Sequence, residues 1–207
     1  MKLKIFNDNF MQSNAYLLMK EKEAILIDPG MNGKEIDRYL KEHEIILGAV
    51  FLTHGHYDHI QGLEELNLEK PLDVYIGSED MRMLINDRMS CADAFGKSFK
   101  LPVNMHPIAL SNGDKITLLS STFQIISTPG HTKGSISIKF EQWLFTGDTL
   151  FSDSVGRTDL FSGNQSELFR SIGMLTSLVS NQTIVYPGHG PSAKMKLIKE
   201  INPYLSK

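Results

Sequence analysis

The stretch AVFLTHGHYDHI, residues 49–60, joins two kinds of sequence. Its first part, Ala49–Thr53, is short and apolar, as expected of a buried strand. Its second part sets three histidines and an aspartate in six positions, as His54, His56, Asp58 and His59. With seven histidines in 207 residues, an H-x-H-x-D-H run arises by chance in roughly one such chain in 2,000. Side chains two apart at a strand end share a face. His54 and His56 can therefore grip one ion at about 2.0–2.1 Å, while Asp58 and His59, in the following turn, can point at a neighbouring ion.

Three further candidates arrive in the same way, each just past a strand-like run and each preceded by glycine. His131 stands in STPGHT after Phe123–Ser127. Asp148 stands in LFTGDT after Trp143–Thr146. His189 stands in YPGHGP after Thr183–Tyr186. Glycine lets the backbone turn sharply and bring the next side chain inward, and ligands on strand ends are held more rigidly than ligands on free loops. Five histidines and two aspartates exceed one tetrahedral site and suit two adjacent ions. Imidazole plus carboxylate without thiolate favours zinc, iron or manganese over magnesium or calcium. His43 and His106 lack any such context and read as ordinary residues. Cys91 reads as structural, and Trp143 as core rather than a substrate platform.

Other strand-like runs are Asn14–Met19, Ala24–Asp28, Asp73–Ile76, Lys115–Leu119 and Ser135–Phe140, bounded by Gly, Pro, Asn or Asp. Helical periodicity marks Gly33–His43, Gly62–Leu68, Ser166–Val179 and Ala193–Ile201. Asn164 with Glu167 forms a capping-box pattern ahead of the third of these. The order reads as two stretches of sheet, each with helices, packed together and covered by helices, not as a regular alternating βαβ fold. No linker composition interrupts it, so residues 1–207 read as one domain.

The composition is ordinary for a globular chain, 41% hydrophobic and 22% charged. A formal net charge of −3 and a pI of about 6.2 give no basic excess for a nucleic-acid or acidic-membrane partner. The N-terminal residues show no signal-peptide pattern, and no apolar run approaches a membrane span. The single Cys91 excludes an intramolecular disulfide and fits a reducing compartment. The cytoplasm is the expected location.

The segments LIDPG (26–30), THGHYDHIQG (53–62), TPGHTKGS (128–135), FTGDTLF (145–151) and YPGHG (186–190) resemble the motifs of the metallo-β-lactamase superfamily, in order and over nearly the whole chain. The resemblance implies a mixed α/β fold, a four-layer αββα sandwich with metals at one edge. SVGRTDLFSGN (154–164) and GHGPSAKMKLIKEINPYL (188–205) resemble, more narrowly, compact bacterial glyoxalase II-like (hydroxyacylglutathione hydrolase-like) enzymes. Carried over by position, this resemblance implies one metal on His54, His56 and His131, a second on Asp58, His59 and His189, and Asp148 bridging both. It implies two divalent ions, zinc first, with iron or manganese as alternatives. Asp28 would support the ligands by hydrogen bonding, Asp58 would accept a proton from the attacking water, and Arg157 and Lys133 would contact substrate.

The activity so implied is hydrolysis of a small S-2-hydroxyacyl thioester, such as S-lactoylglutathione, by a metal-bridging hydroxide. Two departures qualify it. β-Lactamases of the superfamily lack an aspartate at the position of Asp148, which disfavours β-lactams. Glyoxalase II proper carries a C-terminal glutathione-binding segment, whereas about 18 residues follow His189 here, which leaves the thiol carrier open. The rival is a persulfide dioxygenase, similar in its motifs, with one iron on His56, His131 and Asp148. Phosphodiester hydrolysis, also found in the superfamily, lacks the expected RNA-binding arm.

Overall fold

The computed structural model describes residues 1–68 and 70–205. Two six-stranded sheets form its centre. The first contains β1 (Lys2–Asn7), β2 (Asn14–Lys20), β3 (Glu23–Ile27), β4 (Ile46–Leu52), β5 (Leu72–Gly77) and β6 (Met105–Leu110), in that spatial order. The first three strands are antiparallel, and β3 to β6 are parallel. The second runs from β7 (Lys115–Leu118) through β8 (Ser121–Ser127), β9 (Ile136–Phe140), β10 (Trp143–Gly147) and β11 (Ile184–Pro187) to β12 (Ala193–Lys194). It is antiparallel except for the β10–β11 pair.

Strand alternation sorts the apolar residues into three cores. Tyr16 and Leu18, Ile25 and Ile27, and Phe51 face Phe123, Ile125, Ile138 and Phe145 between the sheets. The intervening residues, Ala15, Leu17, Leu26, Val50 and Leu52, point the other way, onto α1 (Gly33–Glu42) through Ile36 and Leu40. On the far side, Ile126, Leu144 and Val185 pack under α3 (Gln165–Leu178) and α4 (Met195–Ile201), meeting Leu168, Ile172, Leu175 and Ile198. Strands buried on both faces read as continuous apolar runs, and three apolar interfaces between four layers make the expected αββα sandwich. Among the described residues no helix is long and apolar enough to cross a membrane.

Several local expectations shift. Gly62–Leu68 is no α-helix: α2 spans Tyr57–Ile60 and a 3-10 turn follows at Gln61–Glu65. The Gly62 amide donates to the Gly30 carbonyl at 2.7 Å, outside any helical ladder, which takes the segment off an α-helical course. Ala193–Lys194 pairs with β11 before α4 begins. The cap of α3 is as expected, with the Asn164 side chain accepting from the Glu167 amide at 3.1 Å. Trp143 packs edge-on against Phe140, Phe145 and Tyr186, a core role.

Candidate metal centre

Four strand ends deliver the seven donor side chains. β4 runs through Thr53-His54-Gly55-His56 into α2, which carries Asp58 and His59. β8 ends shortly before His131, β10 directly before Asp148, and β11 two residues before His189. Two glycines make the closure possible. Gly147 has φ +47°, and a Cβ there would strike the Thr53 side chain. A Cβ on Gly188 would occupy the place of the Asp148 carboxylate and the edge of the His59 ring.

The donors fall into two groups that share a boundary. His54, His56 and His131 form one, Asp58, His59 and His189 the other, and His54, His59 and Asp148 a third that straddles them, with the donor atoms of each within 4.8 Å of one another. His56 Nδ1 lies 2.8 Å from His131 Nε2, and His59 Nε2 lies 3.3 Å from His189 Nε2. Asp148 stands between the groups. Its Oδ1 is 3.4 Å from His59 Nε2, and its Oδ2 is 3.5 Å from both His131 Nε2 and His189 Nε2. The other four histidines are buried, while the His189 side chain is 26% exposed and that of Asp58 14%. The centre therefore opens to solvent on the His189–Asp58 side.

Neighbouring acceptors fix which ring nitrogen faces inward. Asp28 accepts from the Thr53 amide and hydroxyl at 2.7 and 2.6 Å. The Thr53 hydroxyl, its one proton so committed, can only accept from His54 Nδ1, 3.2 Å away. Asp28 also accepts from His59 Nδ1 at 3.1 Å. His131 Nδ1 donates to the Arg157 carbonyl at 2.8 Å. Three rings thus turn Nε2 inward, the usual support of a metal-ligating histidine.

The donor set fits a cation. His54 Nε2 and Asp148 Oδ1 are buried with no hydrogen-bond partner, and such groups are rare unless something other than protein satisfies them. The electrostatics divide along the same line. Burial and the neighbouring imidazoles push His54 well below the usual histidine range and His56 down to about 3, so both rings are neutral, as ligands must be. Burial also opposes charge on His59 and His189. The Asp148 and Asp58 carboxylates outweigh it, raising His59 well above its ordinary value and His189 to about 10. Asp148 is correspondingly held well below the carboxylate range despite its burial. The same two carboxylates that favour a proton on His59 and His189 favour a cation beside them. A divalent cation would take the place of those protons, so loading releases them.

The expected substrate contacts are less exclusively placed. Lys133 Nζ pairs with Glu79 at 2.7 Å on an exposed surface. The Arg157 guanidinium forks onto Asp159 at 2.7 and 2.8 Å, and it is the Arg157 backbone carbonyl that touches the centre, through His131. His43 stacks on Tyr39, and His106 is exposed beside Asp73, both apart from the donors.

Sequence reasoning missed three supports. The Asn14 side chain donates to the carbonyls of Pro187 and Gly190 at 3.0 and 2.8 Å, and the Tyr16 hydroxyl donates to Pro187. Together they grip the turn that carries His189. Asp80, fully buried, receives three hydrogen bonds from the turns around His54–His56 and His131. No short-range signal marks Asn14 or Tyr16, whose partners lie more than 170 positions away. The stretch VYIGSEDMRML offers two adjacent acids, Glu79 and Asp80, and nothing local tells the buried one from its exposed neighbour.

Comparison with known proteins agrees with this geometry. Residues 8–190 match the family model described as Metallo-beta-lactamase superfamily. The chain is 32% identical to the probable metallo-hydrolase YqgX of Bacillus subtilis, covering 94% of this chain and 93% of that one. It is 33% identical to a hydroxyacylglutathione hydrolase of Aliivibrio salmonicida, over 89% of this chain and 62% of that one. Among solved structures, the BLEG-1 B3 metallo-beta-lactamase superposes with a TM-score of 0.91 at 31% identity, both chains being covered completely. TTHA1623 in a di-iron-bound form superposes at 0.85 and 31% identity, covering 98% of this chain and all of that one. Matching motifs, sandwich and donor cage lead to one assignment: the chain belongs to the metallo-β-lactamase superfamily.

Proposed function

We propose that this protein is a binuclear metal-dependent hydrolase that cleaves S-2-hydroxyacyl thioesters, with S-lactoylglutathione as the model substrate. The observation that carries the reading is the pair of donor groups sharing Asp148 and open on one side. The similarity to a hydroxyacylglutathione hydrolase supports the substrate class. His54, His56 and His131 would hold one divalent ion, Asp58, His59 and His189 the other, and Asp148 would contact both. Zinc suits the imidazole-rich donors, and iron is the alternative that a di-iron neighbour keeps in view.

When bound, the ions supply a shared water of lowered pKa and polarisation of the scissile carbonyl. The chain supplies the rest. The buried histidine wall excludes bulk water from the inner side. Asp58, 14% exposed on the open side, would take the proton of the attacking water. A thiolate leaves without a dedicated acid, because thiols have a pKa of about 8.5. The one cysteine, free and half-buried, suits a reducing cytoplasm.

The test is a parallel assay of one metal-loaded sample on S-lactoylglutathione, on a chromogenic cephalosporin, and on glutathione persulfide with an oxygen electrode. Thiol release from the thioester is expected to dominate. Oxygen uptake on the persulfide, or β-lactam opening, without thioester cleavage would overturn the proposal.

A further inference from the structure

We propose that Asp80 is a positioning residue for the three-histidine half of the centre, setting the separation between the His54–His56 turn and the His131 turn. This rests on the binuclear reading above.

Asp80 lies in a 3-10 segment, Ser78–Ile85, just after β5, and none of its atoms bonds to any of the seven donors. Its carboxylate serves both turns at once. Oδ2 accepts from the Gly55 amide at 3.1 Å and from the Thr132 hydroxyl at 2.7 Å, and Oδ1 accepts from the Gly134 amide at 2.9 Å. Gly55 is the residue between His54 and His56, and Thr132 follows His131 directly. One fully buried carboxylate thus ties the two ligand-bearing turns to the same point.

The surrounding sequence is shaped to this segment. A Cβ on Gly134 would run into the Asp80 carboxylate, and a Cβ on Gly55 would run into Met83 of the same 3-10 segment. Thr132 Oγ1 is further braced by Ser135 Oγ at 2.7 Å. Asp28 plays the corresponding part on the other side, reaching His59 directly and His54 through Thr53. The two buried carboxylates divide the labour. Asp80 spaces two backbone turns, whereas Asp28 orients rings.

Asp80→Asn keeps the shape but turns an amide NH2 towards at least one donor that the carboxylate now accepts. The experiment titrates metal-free protein with Co2+, following its visible absorption, for the natural chain, Asp80→Asn, and the reference variants His131→Ala and His189→Ala. The natural chain should take two ions. In Asp80→Asn, one ion should bind with unchanged affinity and the other about 10–100-fold more weakly. The spectrum of its one-ion state should match that of His131→Ala, not His189→Ala.

Equal weakening of both ions, or a lower melting temperature with both affinities intact, would show a merely structural role and overturn the proposal. A natural chain that binds fewer than two ions would overturn the binuclear reading itself, which is a distinguishable failure. If Asp80→Asn does not fold, Thr132→Val removes one of the three bonds, and the same selective weakening is required of it.

Discussion

Replacing Asn14 by alanine tests whether the N-terminal hairpin holds the His189 turn in place. Asn14 is buried, and its amide donates to the Pro187 and Gly190 carbonyls while its oxygen accepts from Asn7. Pro187 keeps a bond from Tyr16 in the variant, and the Gly190 carbonyl can turn to water. Asn7 is exposed and can turn its freed donor to water, so the cost is that of the two bonds to the His189 turn, at about 0.5–1.5 kcal/mol each, roughly 1–3 kcal/mol in all. At about 2–4 °C per kcal/mol for a chain of this size, the melting temperature should fall by roughly 2–12 °C.

The backbone bond from the Asn14 amide to Gly188 survives the change, so the turn loosens without detaching. Metal affinity should then fall about 10–100-fold for the ion that His189 helps hold, while the three-histidine group, supported from elsewhere, is spared. Differential scanning calorimetry and metal titration on the same preparation read both effects. An Asn14→Ala protein with unchanged melting temperature and unchanged affinity for both ions would refute the reasoning.

Three further outcomes are expected. Phe51→Ala, which empties the middle of the inter-sheet core, should cost about 3–5 kcal/mol in urea denaturation and reduce activity only through loss of folded protein. Asp8 accepts from the Ser13 hydroxyl and several loop amides, which together outweigh its desolvation and hold its carboxyl below the usual value. Its stabilising contribution is complete above the ordinary carboxylate range and drains away as pH falls through the lowered folded value; in Asp8→Asn that part of the acid sensitivity should disappear from pH-dependent melting curves. Arg157→Ala should leave stability nearly unchanged, since its ion pair is exposed, so a rise in KM at constant melting temperature would assign the guanidinium to substrate, and unchanged kinetics would leave it to Asp159.

What was legible in the sequence follows from how local each signal was. The His54–His59 run declares itself because its donors are neighbours. His131, Asp148 and His189 could be read because each follows a glycine just past an apolar strand, and close packing explains why glycine stands at 147 and 188. The double-faced strands β3 and β4 could be read from their unbroken apolar runs. The two edges of the first sheet could not. β1 is short, lysine-bearing and buried mainly at Phe6, so it reads as a terminal tail. β6 contains Pro107, tolerated because the strand lies at an edge and pairs only with β5. The supports from Asn14, Tyr16 and Asp80 were invisible for a different reason: their meaning lies in partners brought close only by the packing of the two sheets.

The most direct measurement is metal content per chain, by elemental analysis, of the purified protein beside Asp148→Ala. The account predicts close to two divalent ions per natural chain, and a marked loss of both ions and turnover in the variant, because that one carboxylate faces both donor groups. An Asp148→Ala protein that retains two ions and full turnover would contradict it.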